Sequence, residues 1–312
     1  MLYASLIDTI GNTPLVELQR LSPKPGVRLF AKLEGQNPTG SVKDRIAKYM
    51  IEAAEASGAL TPDRMVLEPT SGNTGISLAM ICRIKGYRLK VVMPESVSEE
   101  RSQLLRAFGA EIVLSEGLKG TNGSIAVAQQ MAADEPNYFM PYQYGNEANP
   151  RAHYETTGPE ILRDVPEIDV FIAGLGTGGT LTGVGHFLKE RKPDVKVVAC
   201  VPHPGDLVQG LRSLEEGFIP PVLDETVLDG KIVIDSRTSF AATKELTQKE
   251  GVFAGISAGA VLRTAQRVAE RLDSGNIVML LADGGWKYLS TSLWSKDYAD
   301  LKEEEIEGKV WW

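Results

Sequence analysis

MVLEPTSGNTGISLAMICRIKGYRLKVVMP, residues 65–94, decides the fold. It opens on the apolar run MVLEPT, passes a turn of small polar residues, continues through the helical stretch NTGISLAMICRIKG, and closes on a second apolar run, LKVVMP. Neither run alternates apolar with polar residues, as a strand with one wet face would. Continuous apolarity marks a parallel strand covered by helices on both faces, and the helix between the runs is the crossover that a parallel pair requires. The rhythm extends outward through RLFAKLE (28–34), AEIVLS (110–115), DVFIAGLG (169–176), KVVACVP (196–202) and NIVMLLADGG (276–285), with SVKDRIAKYMIEAAEASG (41–58) as a further helix. The expected fold is α/β, with mainly parallel sheets flanked by helices.

A length of 312 residues exceeds one ordinary core and suits two domains. No Gly/Ser or Pro linker marks their join. The stretch NYFMPYQYGNEANPRAHYETTGP, residues 137–159, breaks the strand–helix rhythm and is the expected crossover between units. Hydrophobic residues at 43% and charged residues at 24% argue against a disordered or fibrous chain. The net charge is −8 and the 33 basic residues form no concentrated stripe, which argues against nucleic acid as a partner. Cys82 and Cys200 sit in apolar surroundings and read as buried thiols. His153, His186 and His203 show no zinc spacing and no triad order, so neither a metal nor triad hydrolysis is expected. The opening MLYASLIDTIGNTPL lacks the basic start and apolar run of a secretory signal, and no stretch reaches the ~18 apolar residues of a membrane span. A cytoplasmic protein with no membrane partner is the expectation. The closing YADLKEEEIEGKVWW, residues 298–312, reads as a surface helix whose Trp311 and Trp312 dock on a neighbouring surface, or as a tail folding over an active-site mouth.

Four turns can carry chemistry. NPTGSVKDR, residues 37–45, sets Lys43 just past a glycine-containing turn at a helix start. Ser41 or Thr39 can cap that helix beside a solvated lysine; alternatively, the positive helix end lowers the basicity of Lys43 and frees its amine for a Schiff base. EPTSGNTGISLA, residues 68–79, gathers Thr70, Ser71, Gly72, Asn73 and Thr74, more donors than a cap requires and suited to a carboxylate. AGLGTGGTLTGVG, residues 173–185, has Gly174, Gly176 and Gly179 at G-x-G-x-x-G spacing. The next strand, however, ends on Cys200, Val201 and Pro202, where a dinucleotide site needs an acidic residue. Gly176, Thr177, Gly178, Gly179 and Thr180 better suit a single phosphate. GISAGA, residues 255–260, reads as a fourth strand-to-helix turn in which Ser257 caps the helix, a role that does not exclude binding a ring nitrogen.

A Schiff-base lysine, a one-phosphate loop and a small-anion loop together suggest pyridoxal 5'-phosphate. With GNTPLV at 11–16 and YQYGN at 142–146 added to these four turns, the chain resembles the cysteine synthase family along nearly its whole length. The resemblance implies fold type II of the pyridoxal-phosphate enzymes, similar to the tryptophan synthase β subunit. It implies a smaller, mobile substrate-side domain at 35–146, a larger domain from 1–34 plus 147–312 that binds the cofactor phosphate, the cofactor in the cleft between them, and a homodimer. It makes Lys43 the Schiff-base lysine and proton shuttle, sets Asn73 at the ring hydroxyl and Ser257 at the pyridine nitrogen, and puts residues 176–180 around the phosphate. Thr70, Ser71, Thr74 and Gln143 match the positions that grip the substrate carboxylate. A neutral Ser257 makes the ring a milder electron sink, favouring β-elimination over transamination. The implied reaction is β-replacement on an activated serine through an α-aminoacrylate, giving L-cysteine.

GLRSLEEGFIP (210–220), DGGWKYLS (283–290) and the tryptophan-ending tail look like the B-type cysteine synthases, especially actinobacterial enzymes that use O-phospho-L-serine and a thiocarboxylated sulfur-carrier protein. In that branch Arg212 pairs bidentately with the substrate phosphate; otherwise it is a surface arginine paired with Glu215 or Glu216. The alternatives are O-acetylserine with sulfide or thiosulfate, and serine with homocysteine as in cystathionine β-synthase. A catalytically idle docking protein is opposed by the retention of Lys43.

Overall fold

The computed structural model describes residues 2–70, 72–95, 99–117, 120–206 and 208–296. Its strands are β1 (Leu15–Glu17), β2 (Val27–Leu33), β3 (Met65–Pro69), β4 (Arg88–Pro94), β5 (Glu111–Ser115), β6 (Tyr138–Phe139), β7 (Val170–Gly174), β8 (Lys196–Pro202), β9 (Gly230–Ile234) and β10 (Gly275–Leu281). Its helices are α1 (Lys43–Ala56), α2 (Asn73–Lys85), α3 (Glu99–Ala107), α4 (Gly120–Asp134), α5 (Ala148–Ala152), α6 (Gly158–Asp164), α7 (Gly179–Arg191), α8 (Ser236–Glu250) and α9 (Ile256–Ala269).

The strands form a six-stranded sheet, β1-β2-β10-β7-β8-β9, and a four-stranded sheet, β5-β4-β3-β6. Every pairing is parallel except β1 with β2. The unbroken apolar runs follow from burial on both faces. In β2, β7 and β10, residues such as Leu29, Ile172 and Met279 enter a core with α8 and α9. Their neighbours Phe30, Phe171 and Val278 enter a second core with α6 and α7. In the smaller sheet Val66 and Val91 pack with α1, α2 and α3, while Leu67 and Val92 pack against α4.

Strands β1, β6 and β9 were not anticipated from the sequence. The first two span three and two residues, too short for periodicity to register. The third, GKIVI, is an edge strand with alternating burial, interrupted by Lys231. Residues 137–159 contain β6, α5 and a single π-helical turn, His153–Thr157, that runs directly into α6. Cys82 and Cys200 are buried and unpaired, and desolvation pushes both thiols up to about 12. Among the described residues no helix is long and apolar enough to cross a membrane.

A closed ion-pair network anchors the start of α1. Arg45 donates from Nε to Glu34 at 2.7 Å and from Nη1 and Nη2 to the two oxygens of Glu160 at 2.7 Å each. Lys32 from β2 reaches Glu160 at 2.7 Å and the carbonyl of Thr13 at 2.6 Å. Thr13 donates to Glu34, and the amide of Asn12 donates to Glu160. Two cations thus face two carboxylates, all buried. Burial alone raises Glu160, but Arg45 and Lys32 overcome it and hold the carboxyl down at about 2. The GNTP and KDR stretches are joined here, one turn behind Lys43.

Candidate active site

The carboxyl ends of β3, β7 and β10 converge on one cavity of about 140 Å³. Open parallel sheets bind ligands at that end, where strand-to-helix turns expose helix N-termini. The residues that the sequence marks for the cofactor and substrate line this cavity, apart from Gly179, and from Ser71, which lies outside the described residues.

Lys43 is the first residue of α1, its amide held by Ser41 Oγ at 3.1 Å. Its half-buried amine is made less basic by desolvation, partly offset by the carboxylates of Asp283 and Glu34. Thr39 does not cap the helix; its hydroxyl and amide both bond Asp44. The β3–α2 turn supplies Thr70, Asn73 and Thr74. Thr74 donates to Gln143 Oε1 at 2.7 Å, which occupies that oxygen and leaves the Gln143 amide nitrogen as the donor offered to the cavity. The backbone amides of Tyr142 and Gln143 donate to Glu68, a buried carboxyl that desolvation raises to about 7 against these two bonds.

The β7–α7 turn wraps the opposite end. Gly178 has φ +88°, a conformation other residues rarely adopt, and the first turn of α7 leaves its amides without intrahelical partners. Asn149 donates from Nδ2 to Thr177 Oγ1 at 3.0 Å and to the Gln143 carbonyl at 2.8 Å, tying this loop to the β3–α2 side. His153 lies beneath, between Thr157 at 3.0 Å and Thr180 at 3.2 Å; burial lowers it to about 3, so it is a neutral core histidine.

Two expectations about GISAGA need correction. The segment follows α8 and a single β-bridge, not a strand, and Gly255 occupies the N-cap of α9. Ser257, two residues in, is spared the capping role and lines the cavity at 6% exposure. Arg212 is also buried, at 8% exposure, over the rings of Tyr144 and Phe218. No pairing of Arg212 with Glu215 is found, and the side chain of Glu216, the other expected partner, lies outside the described residues.

Sequence reasoning missed Asp283, Lys287 and Arg101. Asp283 accepts from Asn73 Nδ2 at 2.7 Å and from the Tyr288 hydroxyl, and Lys287 donates to Asn73 Oδ1 at 2.6 Å. Arg101 reaches the cavity from α3, its guanidinium over the Tyr288 ring. The signal was a charged residue directly after an apolar strand, Ala282–Asp283, overshadowed by the glycines that follow it.

A profile of the pyridoxal-phosphate dependent enzymes matches residues 6–283. The chain belongs to that family. A probable cysteine synthase of Bacillus subtilis (strain 168) is 44% identical over 306 residues, covering 94% of this chain and 98% of the relative. The crystal structure of a hydrogen sulfide-producing enzyme from Fusobacterium nucleatum superposes with a TM-score of 0.88 at 42% identity, covering 92% of this chain and all of the other. That of O-ureido-L-serine synthase gives a TM-score of 0.90 at 40% identity, covering 97% of each.

The cavity fits the cofactor of this pyridoxal-phosphate dependent enzyme. A Cβ at Gly176 would lie 2.9 Å from the Gly210 carbonyl and one at Gly179 only 1.9 Å from Asn149 Oδ1, so glycine alone permits this close loop around an anion. The buried Asp283 Oδ1 and Asn149 Oδ1 have no hydrogen-bond partner among the described residues. Gly179→Ala is expected to displace Asn149 from Thr177 and Gln143. Cofactor affinity, measured by absorbance titration of the apoprotein, should fall about 10- to 100-fold, the equivalent of about 1–3 kcal/mol of overpacking.

Proposed function

We propose that this enzyme makes L-cysteine from O-phospho-L-serine, exchanging the phosphate for sulfur supplied as sulfide or by a thiocarboxylated sulfur-carrier protein. The carrying observation is Arg212: a buried guanidinium in the cavity wall, facing aromatic rings and no carboxylate among the described residues. Burying a guanidinium is costly, and an anionic substrate group would offset that cost. An acetyl ester would not.

In this reading pyridoxal phosphate, when bound, supplies a ring that stabilises negative charge at the substrate Cα. Residues 176–180 would hold its phosphate at the N-terminus of α7, Ser257 would meet the ring nitrogen and Asn73 the ring oxygen. Lys43 would hold the cofactor through its amine and, with its depressed basicity, is suited to take and return the Cα proton. Thr70, Thr74 and the Gln143 amide nitrogen orient the substrate carboxylate, with Glu68 holding the 142–143 backbone beneath them. The segment 35–146, carrying the four-stranded sheet, is the part that closes on the substrate.

The test is the ratio of kcat/KM for O-phospho-L-serine to that for O-acetyl-L-serine, in the native enzyme and in Arg212→Ala. The native enzyme should favour the phosphate ester. The variant should lose about 10²-fold on it, as expected for a charge-assisted pair of about 1.5–3 kcal/mol, and change little on the acetyl ester. Preference for the acetyl ester with a silent variant would instead indicate an O-acetylserine enzyme.

A further inference from the structure

The side-chain amide of Asn73 is held from both ends. Lys287 Nζ donates to Oδ1 at 2.6 Å, and Nδ2 donates to Asp283 Oδ2 at 2.7 Å. Asp283 is itself fixed by the Tyr288 hydroxyl, and Lys287 also lies within 3.5 Å of the Gly40 carbonyl. Asp283 and Lys287 are both more than nine-tenths buried, so neither readily swings away into water. An amide has two orientations of nearly identical shape, and its neighbours decide between them. Turning Asn73 over would set its NH₂ against the Lys287 ammonium, which has no acceptor, and its carbonyl against the Asp283 carboxylate, which has no donor. Both contacts would become repulsive.

Asn73 therefore has one donor hydrogen left for the cavity. Oδ1 is committed to Lys287 and one Nδ2 hydrogen to Asp283, leaving the second Nδ2 hydrogen. We propose that Lys287 and Asp283 are positioning residues that lock Asn73 as a hydrogen-bond donor toward the cofactor's ring oxygen, keeping that oxygen in its anionic form. This rests on the reading above that Asn73 faces the ring oxygen. An unlocked Asn73 could instead present its carbonyl, which favours a protonated ring oxygen.

The experiment compares the holoenzyme with Lys287→Arg, Lys287→Gln and Asn73→Ala. The ratio of the bound cofactor's visible band to its near-ultraviolet band is read across pH, and circular dichroism checks the fold. Arginine, like lysine, can only donate, so Lys287→Arg should keep the native ratio. Glutamine both donates and accepts and tolerates either orientation. Lys287→Gln should lower the ratio at neutral pH by about threefold, the change given by a shift of about half a pKa unit in the ring oxygen. A glutamine variant with the native ratio, or an arginine variant that loses it as fully as glutamine does, overturns the lock. Asn73→Ala separates the two layers: if it leaves the ratio unchanged, Asn73 does not face the ring oxygen and the underlying reading fails. If it shifts the ratio while Lys287→Gln does not, only the lock fails.

Discussion

Lys43→Ala is expected to leave a folded protein that binds pyridoxal phosphate without a covalent link and turns over more than about 10³-fold more slowly. The loss has two parts. A covalent catalyst splits one difficult step into easier ones, and a positioned acid–base group contributes about 10²–10⁴-fold more. Removal of the amine forfeits both. Absorbance after exhaustive dialysis reads the first part, since the cofactor should leave the variant and remain on the native enzyme; steady-state turnover reads the second. The fold itself should not suffer. The Lys43 amine binds its proton less tightly folded than unfolded, because desolvation outweighs the attraction of Asp283 and Glu34. In the cofactor-free protein this is a stability cost, full below the folded pKa and relieved as pH rises toward the ordinary lysine value of 10.5. The alanine variant should lose that pH slope and melt no lower than the native apoprotein. Turnover within tenfold of the native enzyme would remove Lys43 from the chemistry.

Arg45→Met should have the largest effect on stability. It deletes the guanidinium shared by Glu34 and Glu160 and leaves two buried carboxylates with Lys32 as their remaining cation. Breaking a buried pair in this way costs about 3–5 kcal/mol, read as a lower urea midpoint at unchanged slope. The native network also sets an acid limit. The Glu160 carboxyl is held at about 2 against the ordinary glutamate value of 4.5, so its contribution is present above about 4.5 and is lost as pH falls from there toward 2. Arg45→Met should flatten that part of the stability–pH curve. A native-like midpoint would mean that the network is replaceable by packing alone.

Much of the fold was legible because parallel strands buried on both faces leave an unmistakable trace. Seven of the strands appear as apolar runs, and those missed are two very short ones and an edge strand whose lysine breaks the run. The cavity was legible where small polar residues cluster beyond what a cap needs, as at Thr70–Thr74 and Gly176–Thr180. It was illegible where a residue's meaning depends on a partner far along the chain. Asn73 lies 210 residues from Asp283 and 214 from Lys287, and Gln143 lies 69 from Thr74. No local spacing encodes such pairs. Ser257 was misread because GISAGA looks like a capped turn, and only the backbone reveals that Gly255 holds the cap. Trp311 and Trp312 lie outside the described residues.

The strand order carries a consequence for biogenesis. Strand β10 is the last of the described strands yet sits between β2 and β7, in the middle of the six-stranded sheet. During synthesis the halves of that sheet have nothing to join them until residues 275–281 leave the ribosome. Strands β3 to β6 are contiguous in sequence and can pair while the rest is still being made. A chain interrupted before residue 275 would therefore expose two unsatisfied apolar strand edges, β2 and β7, which are templates for aggregation. Translation products that stop before residue 275 should be insoluble and short-lived, so the order of its strands acts as a built-in check that synthesis has passed β10.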